Sequence, residues 1–371
     1  MPHVALAFAI TALFLYIIAQ FYPIMSIEMN GLSNSAHIAS GIVGLADHDF
    51  SFLAILVLGV AIAAPLWRIL AVTYVLGCLY LRYPSPYLTR IFRSSERLRA
   101  WAMLDVFLLG ALVALTKLHN LAQIDIGIGF WGLALVVLAL AALDVTFDRR
   151  AIWDMLSPPV LLEGMPPDRN GWISCHTCEL LQKISKPHTS YNCSCTRCGA
   201  ALHTRKPNSL SRTWALVIAG LILYIPANIY PVLTIISFGR GDPSTIMGGV
   251  IELFNGNDWP LALIVFTASI VFPLLKLLGL IYLMVSVQQR SRLCLADRTH
   301  LYRIIEFVGR WSIIDIFVAA LLTALVTLGN IATVYPGNGA FAFGAVVVLT
   351  MLASESFDPR LIWDAAEENN G

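Results

Sequence analysis

The sequence predicts an all-α polytopic membrane protein with two tandem four-helix transmembrane repeats, small outer β elements and a cysteine-rich ribbon between the repeats. Three observations lead to this prediction. The 371 residues are 58% hydrophobic and 13% charged, whereas soluble domains carry about 25% charged residues. Eight long apolar runs occur, and the last four repeat motifs of the first four. One long polar segment separates the two sets of runs.

Each of the eight runs is close to the ~20 apolar residues that a membrane-spanning helix needs. Four precede the polar segment, at residues 4–23, 50–80, 101–118 and 130–147, and four follow it, at 213–233, 259–287, 311–329 and 340–354. The runs that begin at Phe50 and Trp259 exceed the ~30 Å hydrocarbon layer at about 1.5 Å per residue, so they are expected to tilt or project beyond it. Pro65 and Pro273 are expected to kink them.

Short segments beside the runs show the alternating, β-branched pattern of strands. They are residues 24–29, 122–128, 232–238 and 331–335. One small sheet is therefore predicted in each half, and a tight loop without a sheet is the alternative. Ser244 and Thr245 directly precede an apolar run, so we predict a helix there that one of these two hydroxyls caps.

Lysine and arginine are distributed unevenly among the loops. Most of them lie in three places: the polar segment, the loop between the second and third runs, and the loop between the sixth and seventh runs. Loops 24–49 and 330–339 have none, and loop 236–258 has only Arg240. The positive-inside rule therefore predicts that both termini and the polar segment are cytoplasmic.

Motifs of the first half return in the second half at a spacing of 208 to 210 residues. Y-I-I-A-Q-F-Y-P at 16–23 returns as Y-I-P-A-N-I-Y-P at 224–231, and F-D-R-R-A-I-W-D at 147–154 returns as F-D-P-R-L-I-W-D at 357–364. Each half has an even number of predicted spans, so the duplication is parallel rather than inverted. Four parts are predicted: repeats at 1–156 and 211–364, a linker and ribbon at 157–210, and a tail at 365–371.

The polar segment contains two C-x-x-C pairs. They are Cys175 with Cys178, and Cys195 with Cys198. Two such pairs can present four thiolates to one metal ion, and the interval between them closes a loop too small for a core of its own. The spacing predicts a structural zinc ribbon. An iron site of rubredoxin type and a redox dithiol remain alternatives.

Ionisable residues inside apolar runs are candidate functional residues, because each costs about 3 kcal/mol or more in hydrocarbon. Arg68 and Lys276 lie deep in the second and sixth runs, and Asp105 and Asp315 lie near the starts of the third and seventh. These depths predict two pairs, Arg68 with Asp105 and Lys276 with Asp315, near the inner third of the bilayer. A structural ion pair whose basic side chain extends to the interface is the alternative.

The two halves differ around these charges. Ser269 is seven residues before Lys276 and lies on the same helix face, and Thr350 lies at a depth comparable with that of Asp315. Their counterparts in the first half are an alanine and a leucine. Lysine can release its proton and arginine cannot. We hypothesise that Lys276, Asp315, Ser269 and Thr350 form a polar transport network, and that the first repeat is a scaffold.

Four motifs after the cysteines resemble the paraquat-inducible protein A family of Gram-negative inner membranes. They are Y-I-P-A-N-x-x-P, P-S-T-I-x-x-G-V, F-V-G-R-W-S-x-x-D-x-F and F-D-P-R-L-x-W-D. The resemblance is close over residues 171–364 and looser over 4–156. It implies a multi-pass inner-membrane protein that works with a periplasmic MCE-domain protein and moves phospholipid between the inner and outer membranes.

The sequence contains no nucleophile–base arrangement, P-loop or dinucleotide fingerprint, so no enzymatic activity is predicted. A net charge of +1 gives no indication of nucleic acid binding. Two other functions stay open. One is a secondary transporter for a small apolar or cationic solute, which the same polar network would serve. The other is a membrane scaffold that does not transport, whose ribbon recruits a cytoplasmic protein.

Overall fold

The computed structural model describes residues 2–29, 32–47, 49–83, 85–119, 123–157, 172–183, 194–237, 240–256, 259–291, 294–326 and 332–367. The described chain is mostly helical. Its helices are α1 (Pro2–Phe21), α2 (Ile38–Asp47), α3 (Ser51–Val57), α4 (Ala64–Tyr80), α5 (Leu88–Leu98), α6 (Leu104–His119), α7 (Ile128–Thr146), α8 (Arg149–Leu156), α9 (Ser209–Ile229), α10 (Ile246–Asn255), α11 (Trp259–Phe266), α12 (Phe272–Gln288), α13 (Leu295–Gly309), α14 (Ile314–Leu325), α15 (Asn338–Ser356) and α16 (Leu361–Glu367).

The strands are short. They are β1 (Met25–Met29), β2 (Leu32–Ala36), β3 (Gln123–Ile126), β4 (Trp172–Ser174), β5 (Leu181–Lys183), β6 (Leu233–Ser237), β7 (Arg240–Ser244) and β8 (Ala332–Pro336). The chain forms two compact units. Unit 1 comprises Met1–Ile18, Ala63–Ala102 and Gly132–Thr204, and unit 2 comprises Ala19–Ile62, Met103–Trp131 and Arg205–Gly371. Both units take residues from the first half of the chain, so the units do not follow the predicted repeat boundaries, which stay a prediction.

Among the described residues, seven helical stretches are long and apolar enough to cross a membrane. They are His3–Phe21, Ser51–Tyr80, Ile128–Thr146, Ser209–Ile229, Ala262–Gln288, Leu295–Leu325 and Asn338–Ser356. The third predicted run, 101–118, is not one of these seven stretches in the part of the chain that the structure describes, and its crossing stays a prediction. A turn precedes α6, which starts only at Leu104 and has 16 residues. At about 1.5 Å per residue it covers about 24 Å, less than the ~30 Å hydrocarbon layer.

The two longest predicted runs each contain a π-helical turn that ends two residues before a proline. These turns are Leu58–Ala63, before Pro65, and Thr267–Val271, before Pro273. Proline lacks an N–H donor, and its ring clashes with the carbonyl group four residues earlier in an α-helix. A wider π turn avoids this clash. The structure therefore has a π turn at both places where the sequence predicts a kink.

Two three-stranded antiparallel sheets lie in unit 2 and share one arrangement. Their strand orders are β2-β1-β3 and β7-β6-β8. The four predicted strand segments are confirmed, because β1, β3, β6 and β8 fall within them or within one residue of them. Glycine is required where each sheet meets the next helix, since a Cβ at Gly127 or Gly337 would overlap the carbonyl of Pro23 or Pro231. Thr245 is the cap of α10, with its hydroxyl accepting from the Gly248 N–H at 3.1 Å.

The core of unit 1 joins the cysteine region to helices α4, α5 and α8. Phe92 of α5 is fully buried, with its ring centroid 4.8 Å from that of Trp153 and 5.8 Å from that of Phe147. The four cysteines belong to the same apolar cluster, together with Leu76 and Leu88. The ribbon therefore shares its core with the helices of unit 1.

The core of unit 2 packs α12 against α9, α13 and α15, with Leu277, Leu280 and Ile305 at its centre. A second contact zone surrounds α14, which packs on α2 and α6. An ideal Cβ at Gly41 of α2 would lie 3.0 Å from the Ala320 carbonyl oxygen, so the two helices approach closely. The Asn34 amide of β2 donates to the carbonyl oxygens of Ala324 and Leu325, both at 3.0 Å, and so binds the last turn of α14.

Candidate functional site

Two similar turns present the four cysteines. In the first turn the Cys175 N–H donates to the Leu180 carbonyl at 3.0 Å, and the Glu179 N–H donates to the Cys175 carbonyl at 3.0 Å. In the second turn the Cys195 N–H donates to the Ala200 carbonyl at 2.8 Å, and the Gly199 N–H donates to the Cys195 carbonyl at 2.9 Å. Glu179 and Gly199 hold the matching left-handed positions, with φ of 57° and 66°. The turns therefore aim both pairs of sulfurs in the same way.

The four sulfur atoms form one buried cluster. All lie within 4.8 Å of one another, and the cysteines are 2–5% exposed. The Sγ atoms of Cys175 and Cys198 are 3.5 Å apart, as are those of Cys178 and Cys195. A disulfide requires about 2.05 Å, whereas four bonds of about 2.3 Å to a tetrahedral metal place sulfurs about 3.8 Å apart. The cluster can hold a metal ion, and four thiolates leave no open coordination position.

Arginine side chains, Arg197 and Arg93 among them, attach the ribbon to the helices of unit 1. Arg197 donates from Nε to the Trp153 carbonyl at 3.1 Å and from Nη2 to Oδ1 of Asp154 at 2.6 Å. Its guanidinium carbon also lies 5.9 Å from the centre of the Trp153 ring. Arg93 of α5 donates to the Cys198 carbonyl at 2.9 Å. The cysteine cluster is therefore held in place from both α5 and α8.

Lys276 is fully buried inside the stretch Ala262–Gln288, at 0% exposure. Its Nζ donates to the Gly309 carbonyl oxygen at 2.9 Å and lies 3.5 Å from the Thr350 hydroxyl oxygen. That hydroxyl donates to the Val347 carbonyl at 3.0 Å. Gly309 ends α13, where a 3₁₀ turn at Arg310–Ile313 follows, and carbonyls at helix ends are available to outside donors. Lys276 thus joins α12 to α13 and α15 through two neutral oxygens.

The structure brings Lys276 and Thr350 together, as the sequence predicts, and it gives Ser269 a different bond. The Ser269 hydroxyl is buried and donates to the Val265 carbonyl of its own helix at 2.7 Å, within the π turn. Asp315 is partly buried in the first turn of α14. A direct pair between Lys276 and Asp315 stays a prediction.

In unit 1, Arg68 forms its ion pair with Asp144 of α7. Arg99 is 3.6 Å from the same carboxylate, and Arg149 pairs with Glu96 at 2.7 Å. Burial raises the pKa of Glu96, and the positive charges of nearby arginines oppose that rise. The predicted partner of Arg68, Asp105, lies in unit 2, in the first turn of α6.

Gly309 and Asp144 were not among the predicted site residues. Gly309 takes part through its backbone carbonyl, which gives no sequence signal, although the glycine lies in the F-V-G-R-W-S motif. Asp144 gives a weak signal, as the one charged residue of the otherwise apolar α7. A charged residue near the end of a predicted span is therefore a candidate ion-pair partner for a charge in another span.

Comparison with known proteins identifies the family. The family model described as Paraquat-inducible protein A matches residues 3–157 and 210–367. The chain belongs to the paraquat-inducible protein A family. The two matched ranges flank the cysteine cluster, and the second contains Lys276, Gly309 and Thr350.

Three curated relatives share about a third of their residues with this chain. "Intermembrane transport protein PqiA" of Escherichia coli K12 is 33% identical, over 98% of this chain and 86% of its own. A "Probable intermembrane transport protein" of Haemophilus influenzae is 31% identical, over 96% and 85%. "Lipophilic envelope-spanning tunnel protein A" of E. coli K12 is 30% identical, over 98% and 82%. No solved structure matches the chain. As a member of this family with seven helical stretches able to cross a membrane, the chain is a multi-pass membrane protein.

Proposed function

We propose that this chain is the inner-membrane component of an intermembrane lipid transport system. It works with a periplasmic MCE-domain protein to move phospholipid between the inner and outer membranes. Membership of the paraquat-inducible protein A family supports the proposal, as do the names of its relatives. The observation in this chain that carries it is Lys276, an ionisable residue with 0% exposure inside a stretch able to cross a membrane. Such residues in membrane proteins mark transport pathways and proton relays.

The coupling is proposed to reside in the second half. A buried ammonium group bonded to neutral oxygens is costly, and lysine can remove that cost by releasing its proton. Release weakens the bond from Nζ to the Gly309 carbonyl and loosens α12 from α13. In this proposal Asp315 exchanges a proton with Lys276, and the Thr350 hydroxyl oxygen binds the protonated Lys276 in the resting state. Ser269, in the π turn, is a further hydroxyl that can carry the proton. Uptake and release of one proton then switch α12 between two packing arrangements.

Comparison of the two halves supports this division of roles. At the repeat spacing, Arg68 corresponds to Lys276, Arg99 to Gly309 and Asp144 to Ser354. The first half thus closes its site with a carboxylate between two guanidinium groups. Two uncharged residues stand at the matching positions of the second half. Arginine keeps its charge, so we assign the first half a scaffold role.

Tandem parallel repeats are part of the proposal. Both halves have a π turn before a proline, both contribute a sheet of the same strand order, and the family model matches one range in each. The metal of the ribbon is proposed to be zinc, because four thiolates in a closed tetrahedral cluster are typical of structural zinc sites. The distribution of Lys and Arg supports a cytoplasmic location for the cluster and both termini.

Topology reporters test this orientation. Reporters fused after Ser33, after Gly241 and after Gly337 are expected in the periplasm, because the surrounding loops carry almost no Lys or Arg. One fused after Lys206 is expected in the cytoplasm. Paired alkaline phosphatase and green fluorescent protein fusions measure both sides at each site. A periplasmic signal after Lys206, or a cytoplasmic one after any of the other three, contradicts the proposed topology.

Lipid analysis tests the proposed function. Protein purified from a Gram-negative host is expected to carry phospholipid, identified by mass spectrometry, and to retain an MCE-domain protein after cross-linking. In proteoliposomes with that partner, labelled phospholipid transfer is expected to depend on the proton gradient. An unrelated inner-membrane protein of similar size, purified in parallel, is the control for carry-over lipid. Uptake of a small solute by the chain alone, with no phospholipid transfer, would instead support the secondary transporter, which the same buried lysine could serve.

A further inference from the structure

Helix α5 has two different faces. Leu88, Phe92 and Ser95 are buried against the core of unit 1, at a spacing that places them on one side of the helix. Arg90 and Arg97 are exposed and, being seven residues apart, lie on another common side, about 10.5 Å apart along the axis. One side of α5 therefore completes a protein core, and another presents positive charge.

Three arginines, one just after α4 and two on α5, have no ion-pair partner among the residues that the structure describes. They are Arg82, Arg90 and Arg97, all exposed. Their neighbours are occupied, since Arg93 donates to the Cys198 carbonyl and Arg99 lies 3.6 Å from Asp144. Glu96, the one acidic residue of α5, pairs with Arg149 at 2.7 Å. The surface therefore keeps a net positive charge that unit 1 does not neutralise.

Aromatic residues surround these arginines. Tyr80, Tyr83 and Tyr87 are each more than half exposed. Trp67 of α4 is also exposed, and its indole N–H donates to the Ser94 hydroxyl of α5 at 3.0 Å. Exposed tyrosine and tryptophan beside a long apolar helix mark the membrane–water interface, where the polar edge of the ring reaches the headgroups. Tyr80, Tyr83 and Tyr87 thus mark headgroup depth at the junction of α4 and α5, where Arg82 lies, and Arg90 and Arg97 continue from there along one side of α5.

We propose that Arg82, Arg90 and Arg97, with Tyr83 and Tyr87, form a binding surface for anionic phospholipid headgroups, here called the α5 surface. Guanidinium groups bind phosphate through paired hydrogen bonds, and clusters of basic residues beside a spanning helix attract anionic lipid. The surface is built independently of the Lys276 site, and the leaflet it contacts follows from the proposed orientation. The α5 surface therefore prefers anionic over zwitterionic phospholipid.

The corresponding helix of the second half provides a contrast. In α13, the exposed Arg303 is accompanied by exposed Asp297 and Glu306, and Arg298 is buried with bonds to Ser291. Within α13, acidic side chains therefore match the basic ones in number. An anionic headgroup should accordingly prefer α5, and exposed arginines of unit 2 provide a control matched in charge.

The test measures lipid binding by the delipidated full chain. Native mass spectrometry records adducts in micelles that contain equal amounts of phosphatidylglycerol and phosphatidylcholine. The wild type is expected to prefer phosphatidylglycerol. Arg82→Gln, Arg90→Gln and Arg97→Gln are each expected to weaken phosphatidylglycerol binding about fivefold, and the triple variant about a hundredfold. The control triple Arg212→Gln/Arg303→Gln/Arg360→Gln, which removes the same charge from exposed sites, is expected to stay within about twofold of wild type.

Several outcomes overturn the proposal. Equal binding of the two lipids by the wild type is one, and equal loss in the two triple variants, which would indicate net charge alone, is another. Displacement of phosphatidylglycerol by millimolar inorganic phosphate would show a phosphate site rather than a lipid site. If thermal unfolding shows that the triple variant is misfolded, Arg97→Gln alone decides. Failure of phospholipid transport in wild-type protein that keeps the lipid preference would count against the proposed function and leave the α5 surface intact.

Discussion

Lys276→Met is expected to reduce phospholipid transport to background while the protein accumulates at its normal level. Methionine has a similar length and removes the ammonium group, so the bond to the Gly309 carbonyl and the proton both disappear. Replacing a buried charge by a well-packed apolar side chain is neutral or stabilising in many proteins, so no loss of folded protein is expected. Transfer of labelled phospholipid in proteoliposomes and the melting temperature of the purified variant measure the two effects.

Lys276→Arg separates charge from proton exchange. Arginine keeps the positive charge and cannot release its proton, so transport is again expected to fall to background. Arg68→Met is the matched control in the first half. It leaves Asp144 with Arg99 at 3.6 Å and about one-third exposed, so a loss of about 1–2 kcal/mol of stability is expected, with transport following the amount of folded protein. Wild-type transport by Lys276→Arg, unchanged when the proton gradient collapses, would show that Lys276 is structural.

Removal of the metal is expected to unfold unit 1. The four cysteines share the apolar core of this unit with Phe92 and Trp153. In zinc-finger peptides, structural zinc supplies about 10 kcal/mol or more of folding free energy. Purified protein is expected to contain about one zinc ion per chain, and Cys178→Ser to lose both the ion and the cooperative melting of unit 1. Metal analysis and thermal unfolding with and without a chelator measure this.

Cys294→Ser is the control for that experiment, because Cys294 is exposed and lies outside the cluster. It should leave the metal content and the melting temperature unchanged. Iron in the purified protein would favour the rubredoxin alternative. A chain without metal whose unit 1 melts like the wild type would remove the structural role altogether.

The parts of this fold that follow local chemistry could be predicted from the sequence. The doubled C-x-x-C spacing brings four cysteines together because each turn fixes its own pair, and the long apolar runs become helices because length and hydropathy are sufficient for that. Depth alone predicts that Thr350 lies near Lys276, and in the structure Lys276 Nζ is 3.5 Å from the Thr350 hydroxyl oxygen. The depth of a residue along a span can be predicted because the rise per residue of an α-helix is nearly constant.

Pairing between helices could not be predicted in the same way. The partner of Arg68 is Asp144 of α7. Which side chain of α7 faces α4 depends on the rotation of α7 about its own axis. A helix that is apolar all round has too little hydrophobic periodicity for that rotation to be predicted from sequence. Lys276 bonds a backbone carbonyl, and every residue has one. The sequence predicts a loop for the basic segment after the sixth run, yet Leu295–Gly309 is helical, because Tyr302 and Ile305 are buried on one face.

The bonds from Asn34 to the end of α14 bear on how the protein is made. Donor and acceptor are 290 and 291 positions apart in the chain. Translation at about 5–20 residues per second separates their emergence from the ribosome by roughly 15–60 s. During that interval the glycine face of α2 and the Asn34 amide wait without their native neighbour. Residues 34–47, which follow the first membrane-spanning stretch, therefore reach their contacts with α14 only near the end of synthesis, and any factor that protects nascent membrane proteins would act on this early segment.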